Sequence, residues 1–178
     1  MSDQADTTTG EGANPTADLS TIDPATMQAE DFDTETVAKL VGSTPEDKLA
    51  EAMAGPLRDV IVGEVFRRMP ERLNTAAAAG TDVVVNWLIT REDGEPDRYV
   101  VRVASGTCTV EEGQDPSPRV TLTLAPVTFL QLVTGNLNPV TAFMAGQIAV
   151  EGDVMFAATV SNLFEIPKGA TPPAPPSA

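Results

Sequence analysis

Apolar positions along this chain change period in a way that separates helices from strands. From Leu57 to Met69 the residues Leu57, Ile61, Val65 and Met69 recur at every fourth place, and Val62 and Phe66 widen the stripe. That spacing predicts a helix with one apolar face. Arg58, Asp59, Arg67 and Arg68 lie largely off the stripe, so the helix is expected to rest on something broad, most naturally a sheet. The period then shortens. Thr81 to Thr90 (TDVVVNWLIT) is β-branched and apolar, Asp93-Gly94 supplies a turn pair, and Tyr99 to Ala104 returns as a second strand. Ser105-Gly106 leads tightly into Thr107 to Glu111, which predicts a three-stranded antiparallel meander. After the loop GQDPSP, Arg119 to Leu124 alternates as a fourth strand.

Both sides of the first strand are apolar: Val83, Val85, Trp87 and Ile89 on one, Val84 and Leu88 on the other. An antiparallel strand with one wetted face would show a polar row. Both faces are therefore expected to be partly covered, with helices on one side and a cavity or tail on the other. Ahead of these elements, order is expected to begin near Phe32, with a short helix from Thr34 to Val41 that Gly42 ends. A second helix is predicted to start with Thr44 as N-cap and Pro45 at the first helical position, and to break at Gly55-Pro56.

The stretch from Gly135 to Asp153, GNLNPVTAFMAGQIAVEGD, has the densest punctuation. Pro126 to Val133 precedes it as a short helix that Gly135 closes. Asn138-Pro139 opens another helix to Ala145, Gly146 ends it, and Gln147 to Glu151 reads as a short strand. Gly152-Asp153 then turns into a last segment, DVMFAATVSNLF, expected as one helix capped by Asp153. This segment is apolar nearly all round. Burial against the core on two sides and exposure to a ligand or partner are both compatible with that circumference.

The run G-x-L-N-P-x-x-A-F-M-x-G-x-I-x-V-x-G-D resembles the signature of the type 2 sterol carrier protein (sterol-binding) domain. The upstream GEVFRRMPERLN helix before a Val-rich strand supports the likeness, which extends over residues 56–165. The resemblance implies a single α+β domain: about five strands in a mostly antiparallel sheet, covered by helices on one side, with an apolar tunnel for a fatty acyl chain, sterol or similar lipid. It also implies pocket-lining roles for Phe129, Leu132, Phe143, Met144, Ile148, Met155 and Phe156, and structural turns at Gly146, Gly152 and Asp153. Two features depart from relatives of this kind. Lys and Arg are scarce around the expected mouth, which disfavours acyl-CoA, whose phosphates call for cations. In addition, Ala145 puts a methyl group where a polar side chain would orient a head group.

Composition then narrows the chemistry. Of the formal net charge of −15, residues 1–36 carry nine acids and no Lys or Arg. Residues 1–31 are accordingly expected to be a disordered acidic tail, serving either solubility or the docking of a protein partner. Residues 32–55 are read as a helical extension, 56–166 as the domain and 167–178 as a Pro-rich disordered tail. The acidic balance argues against nucleic acid and against anionic membrane surfaces. With no apolar run long enough to span a bilayer and no secretory signal, stable membrane insertion is not expected and the cytoplasm is the default.

The absence of histidine removes Ser-His and Cys-His pairs and His-containing metal sites. Cys108 alternates with Thr107 and Thr109 in a strand, the place of an inert buried thiol. The acids Glu92, Asp93, Glu95, Glu111, Glu112 and Asp115 fall in turns and strand ends as solvated charges. Neither a cofactor, a metal nor a catalytic residue is expected. Two functions remain open: a lipid carrier, and a non-catalytic accessory or dimerisation module presenting an apolar groove to a partner enzyme.

Overall fold

The computed structural model describes residues 34–92 and 94–165. The readings of residues 1–31 and 167–178 as tails therefore lie outside the described residues, as do the expected start of order near Phe32 and the Asp93 half of the turn pair. In order, the elements are α1 (Thr34–Ser43), α2 (Glu46–Ala54), α3 (Leu57–Arg68), a 3-10 turn (Met69–Arg72), α4 (Thr75–Ala78), β1 (Val83–Ile89), β2 (Asp97–Ala104), β3 (Thr107–Glu112), β4 (Val120–Leu124), α5 (Pro126–Val133), α6 (Pro139–Met144), β5 (Ile148–Gly152), α7 (Val154–Ala157) and a second 3-10 turn (Val160–Leu163).

The five strands form one sheet in the order β3-β2-β1-β4-β5. Three of its pairings are antiparallel, and β1 runs parallel to β4. The predicted meander is thus present, extended by a crossover. From the β3 edge the chain passes over β2 and β1 in the loop 113–119, a lateral step of roughly 14 Å at the usual strand spacing.

Register aligns the apolar side chains of one face into rows. Val83 lies beside Val103, and Val103 beside Cys108; Val85 lies between Val101 and Val120; Trp87 lies between Tyr99 and Leu122, with Val150 beyond Leu122; Ile89 lies beside Leu124, and Leu124 beside Ile148. This face packs on Ile61, Val62, Phe66 and Met69 of the α3 region and on Phe129 and Leu130 of α5. Phe66 is the centre of an aromatic cluster. Its ring stacks on Tyr99 at 4.0 Å and on Phe129 at 4.9 Å, and stands edge to face with Trp87 at 6.2 Å.

The opposite face is closed differently from the expectation of a cavity or tail. Asn86, Val100 and Thr121 form a buried row there. The crossover loop covers it and is pinned by a reciprocal pair: Asn86 Nδ2 donates to the Asp115 carbonyl at 2.9 Å, and the Asp115 N–H donates to Asn86 Oδ1 at 3.0 Å. The side-chain amide imitates a strand neighbour, which is how a polar residue can be buried in mid-strand without an unsatisfied group.

Other local readings need correction. Arg58, read as lying largely off the apolar stripe, is only 5% exposed. Its guanidinium donates to the carbonyls of Ile89 (3.2 Å) and Thr90 (3.0 Å) and pairs with Asp97, fastening the start of α3 to the ends of β1 and β2. Thr44 does not cap α2. Its hydroxyl donates back to the Leu40 carbonyl at 2.6 Å, and Pro45 occupies the N-cap with no side-chain bond. Helix α1 runs through Gly42 to Ser43, and the Asn136 side chain comes close at Gly42, where a Cβ would lie 2.7 Å from Asn136 Oδ1.

The last segment is not one helix. It breaks after α7, where the Thr159 hydroxyl donates to the Phe156 carbonyl at 2.8 Å, and resumes as a 3-10 turn. Phe164 then pairs with Leu73 in an antiparallel bridge. The break resolves the apolar circumference, since Val160 and Leu163 enter the core while Val154 and Met155 stay at the surface.

Candidate ligand-binding cavity

A cavity of about 280 Å³ lies between the helices and the apolar face of the sheet. Its floor is Trp87 of β1, Leu122 of β4, and Ile148 and Val150 of β5. Its walls come from Val65 and Met69 of the α3 region, Leu132 and Val133 of α5, Val140 and Phe143 of α6, and Val154, Met155 and Val160 near the C-terminal end. Burial makes the floor rigid: Trp87, Leu122 and Ile148 are each at most 6% exposed. The opening lies between α6 and α7, where the lining residues Val140, Phe143, Val154 and Met155 are 43–82% exposed.

The glycines and the aspartate of the 135–153 stretch build this opening. Gly146 has φ +73° and closes α6, with its N–H bonded to the Phe143 carbonyl and the next N–H, of Gln147, to that of Ala142. This left-handed end favours glycine. Gly152 has φ +98°, and a Cβ there would come within 2.5 Å of the Arg119 carbonyl oxygen. The Asp153 carboxylate accepts from the Phe156 N–H at 2.8 Å and from Arg119 at 2.9 and 3.0 Å, and these bonds hold it below the usual carboxylate range.

Of the seven expected lining residues, four (Leu132, Phe143, Ile148 and Met155) line the cavity and three do not. Phe129 is fully buried beneath Phe66 in the aromatic cluster. Met144 ends α6 with 81% of its surface exposed. Phe156 is turned onto Arg119, whose guanidinium carbon stands 4.3 Å from the ring centroid, an arrangement that favours contact with the cation over the apolar cavity.

Sequence reasoning missed one polar edge of the cavity. Glu64, Arg68 and Arg72 follow one another at four-residue steps and line it together with Ser161 and Glu165. The i, i+4, i+8 spacing is visible in the sequence, but Ser161 and Glu165 join it only in the folded chain. Arg72 donates to the Glu165 carbonyl, and the Glu165 N–H donates back to the Arg72 carbonyl at 2.7 Å. Burial lowers the Arg72 pKa, with the Glu165 charge acting in the opposite sense. Two arginines thus border a cavity whose mouth was expected to be poor in cations.

Glu64 accepts from Arg67 at 2.6 and 2.7 Å and from Arg68 at 2.5 Å. Chiefly through the Arg67 bonds its pKa falls to about 2, well below the usual carboxylate range. A depressed carboxylate stabilises the fold above its unfolded pKa and loses that contribution as pH falls through the folded value. The Glu64 contribution is therefore present above about pH 4.5 and disappears toward pH 2. Its size is expected to be about 1 kcal/mol, because solvent screens the exposed Arg67 partner. Unfolding midpoints of wild type and Glu64→Gln should differ at pH 6 and converge near pH 2. A constant difference would assign the effect to packing.

Cys108 is buried outside the cavity, and burial pushes its thiol up to about 11. Among the described residues there is no group of three or more His, Cys, Asp or Glu able to hold a metal ion, and no helix is long and apolar enough to cross a membrane.

Comparison with known proteins agrees with this architecture. The family model for the SCP-2 sterol transfer family matches residues 64–165. Sterol carrier protein 2 of Gallus gallus is 34% identical over 70 residues, which is 39% of this chain and 13% of that protein. Hydroxysteroid dehydrogenase-like protein 2 of Bos taurus is 25% identical over 124 residues, 69% of this chain and 29% of that protein. Among solved structures, the inverting sec-alkylsulfatase Pisa1 from Pseudomonas sp. superposes with a TM-score of 0.53 at 25% identity, over 60% of this chain and 16% of that one. The chain thus matches only a minor part of each of these longer relatives. By the family match over its sheet, its cavity and both bordering helices, the chain belongs to the SCP-2 sterol transfer family.

Proposed function

We propose that the protein holds a single-chain lipid in this cavity, with the apolar chain on the Trp87–Leu122–Ile148–Val150 floor and a polar or anionic head group beside Arg72. The observation that carries the reading is a partly open, almost wholly apolar space with its arginines confined to one edge. A volume of about 280 Å³ is near the small end of ligand pockets, roughly 300–1,000 Å³, which favours one chain over two. About ten methylenes removed from water, at about 0.8 kcal/mol each, supply the driving force before the costs of association. Carriage without catalysis fits the side chains present, since the Glu64 carboxylate is held ionised by arginines and the Cys108 thiol is buried away from the cavity.

The polar edge gives a test. Arg72→Met should weaken binding of a long-chain fatty acid about tenfold, because charge-assisted hydrogen bonds contribute about 1.5–3 kcal/mol. Affinity for the fatty alcohol of equal length should change less than twofold. Titration calorimetry with both ligands reads the difference. Equal losses for acid and alcohol would move the head group elsewhere.

A second reading is favoured by the partial coverage of the relatives. In the dehydrogenase-like protein and the sulfatase the matching region is a minor part of a larger chain. The same apolar opening would then serve as the groove that a non-catalytic accessory module presents to a partner enzyme supplied by another domain or chain. The two readings separate on whether substitutions at the opening remove lipid binding or contact with a partner protein.

A further inference from the structure

Trp87 is the only tryptophan of the chain, and it belongs to the cavity floor. It is 3% exposed, and its indole Nε1–H is buried without an acceptor, the only such side-chain atom among the described residues. A buried indole N–H ordinarily finds a partner, and leaving one unpaired costs free energy. The neighbours of Trp87 explain the lack. Along the sheet it lies between Tyr99 and Leu122, with Val150 beyond Leu122. From the helices, Phe66 and Phe129 stand edge to face with its ring at 6.2 and 5.7 Å. An N–H turned toward an aromatic face gains only a weak contact. Trp87 is also the innermost part of the floor. Ile148 and Val150 belong to the edge strand β5 and Leu122 to β4, so Trp87 on β1 lies two strand spacings further in, roughly 10 Å. The cavity therefore has two distinct polar features, a charged edge with Arg68 and Arg72 and an uncharged donor at the inner end of the floor.

From these observations we infer that the ligand is an oxo-lipid, a fatty acid with an uncharged carbonyl within its chain, whose oxygen accepts from Trp87 Nε1–H. The inference rests on the lipid-holding reading and names the ligand class of that site. The donor and its surroundings select the chemistry. A saturated chain packed on the floor leaves the N–H unpaired. A second carboxylate would give up its hydration for a single hydrogen bond, which an apolar floor does not repay. A hydroxyl could accept, but it would bring a donor of its own into surroundings of carbon. A ketone brings an acceptor and no donor, and so matches a site that presents one donor and no acceptor. With the carboxylate beside Arg72, the ligand would be fixed at two points, and the position of the carbonyl along the chain becomes the feature that is recognised.

Oxo-hexadecanoic acids that differ only in the position of the carbonyl share charge, length and hydrophobicity, so a preference among them reads the hydrogen bond. Calorimetric titration of the full-length protein with this series and with hexadecanoic acid should show one isomer bound about tenfold more tightly than the others. In Trp87→Phe, which keeps an aromatic ring and removes the donor, the isomers should bind alike. Because the chain has a single tryptophan, isotope-labelled protein gives one indole N–H resonance. The preferred isomer should move that proton downfield, and hexadecanoic acid should not. The inference is overturned if wild type binds all isomers equally, if Trp87→Phe keeps the preference, or if both kinds of acid shift the indole proton alike. Should Trp87→Phe fail to fold, the indole resonance of wild type decides. Saturable binding of hexadecanoic acid with no preference among the isomers removes this inference and leaves the lipid-holding reading standing. Absence of saturable binding by every acid removes both.

Discussion

Phe66→Ala should destabilise the domain by about 3–5 kcal/mol, the range for removing a fully buried aromatic side chain. Phe66 is 1% exposed and is the residue through which α3 meets both the sheet and α5. Its loss removes two stacked contacts and one edge-to-face contact at once, and the neighbours cannot all move in. Tyr99 and Trp87 are fixed in strands, and Phe129 is fixed in α5 behind a Pro start. For a domain of this size the thermal midpoint should fall by about 10–20 °C. Phe66→Leu keeps most of the volume and should cost less than half as much. A fall of only a few degrees for the alanine variant would show that the cluster is not the centre of the core.

The second large effect is expected at the cavity opening. Phe143→Asp and Met155→Asp should each weaken lipid binding at least tenfold, with little change in stability. Both side chains line the cavity and are already substantially exposed, so the folded state does not have to bury the new charge. Withdrawing about 60 Å² of apolar contact from the bound lipid corresponds to about 1.5 kcal/mol, and a hydrated carboxylate beside the chain adds to the loss. Cys108→Ser alters a residue outside the cavity and should keep full affinity even if it lowers stability. If the two aspartate variants stay folded and retain affinity while losing contact with a partner protein, the accessory-module reading would displace the carrier.

The elements of this fold were legible where local chemistry decides them. Pro126–Val133 ends where the sequence implies, and Asn138-Pro139 and Gly146 bound α6 to within a residue, because proline, an Asx cap and a left-handed glycine act through their own backbone. The family resemblance, read from the same stretch, agrees with the family match. Roles that depend on distant partners were not legible. Arg58 looks solvent-facing on its helix, yet its long side chain reaches the ends of two strands. Asn86 seems an interruption in an apolar strand until Asp115, brought back by a crossover, completes its hydrogen bonds.

The cavity followed the same division. Leu132, Phe143, Ile148 and Met155 are within it, but hydrophobicity alone could not tell lining residues from Phe129, which is deep in the core, or from Met144, which faces outward. Phe156 is drawn away by Arg119, a neighbour set by strand pairing that no local pattern reveals. The Glu64, Arg68 and Arg72 edge was present in the spacing, but its meaning depends on Ser161 and Glu165 arriving from the far end of the domain.

The central claim, that the space beneath α6 and α7 is a lipid site, is tested most directly by titrating delipidated full-length protein with a fluorescent long-chain fatty acid. Saturation should occur at one fatty acid per chain, with displacement by unlabelled fatty acid and a lower affinity in Phe143→Asp and Met155→Asp. Absence of saturable binding to the folded wild type, or binding that both cavity variants leave unchanged, would contradict it.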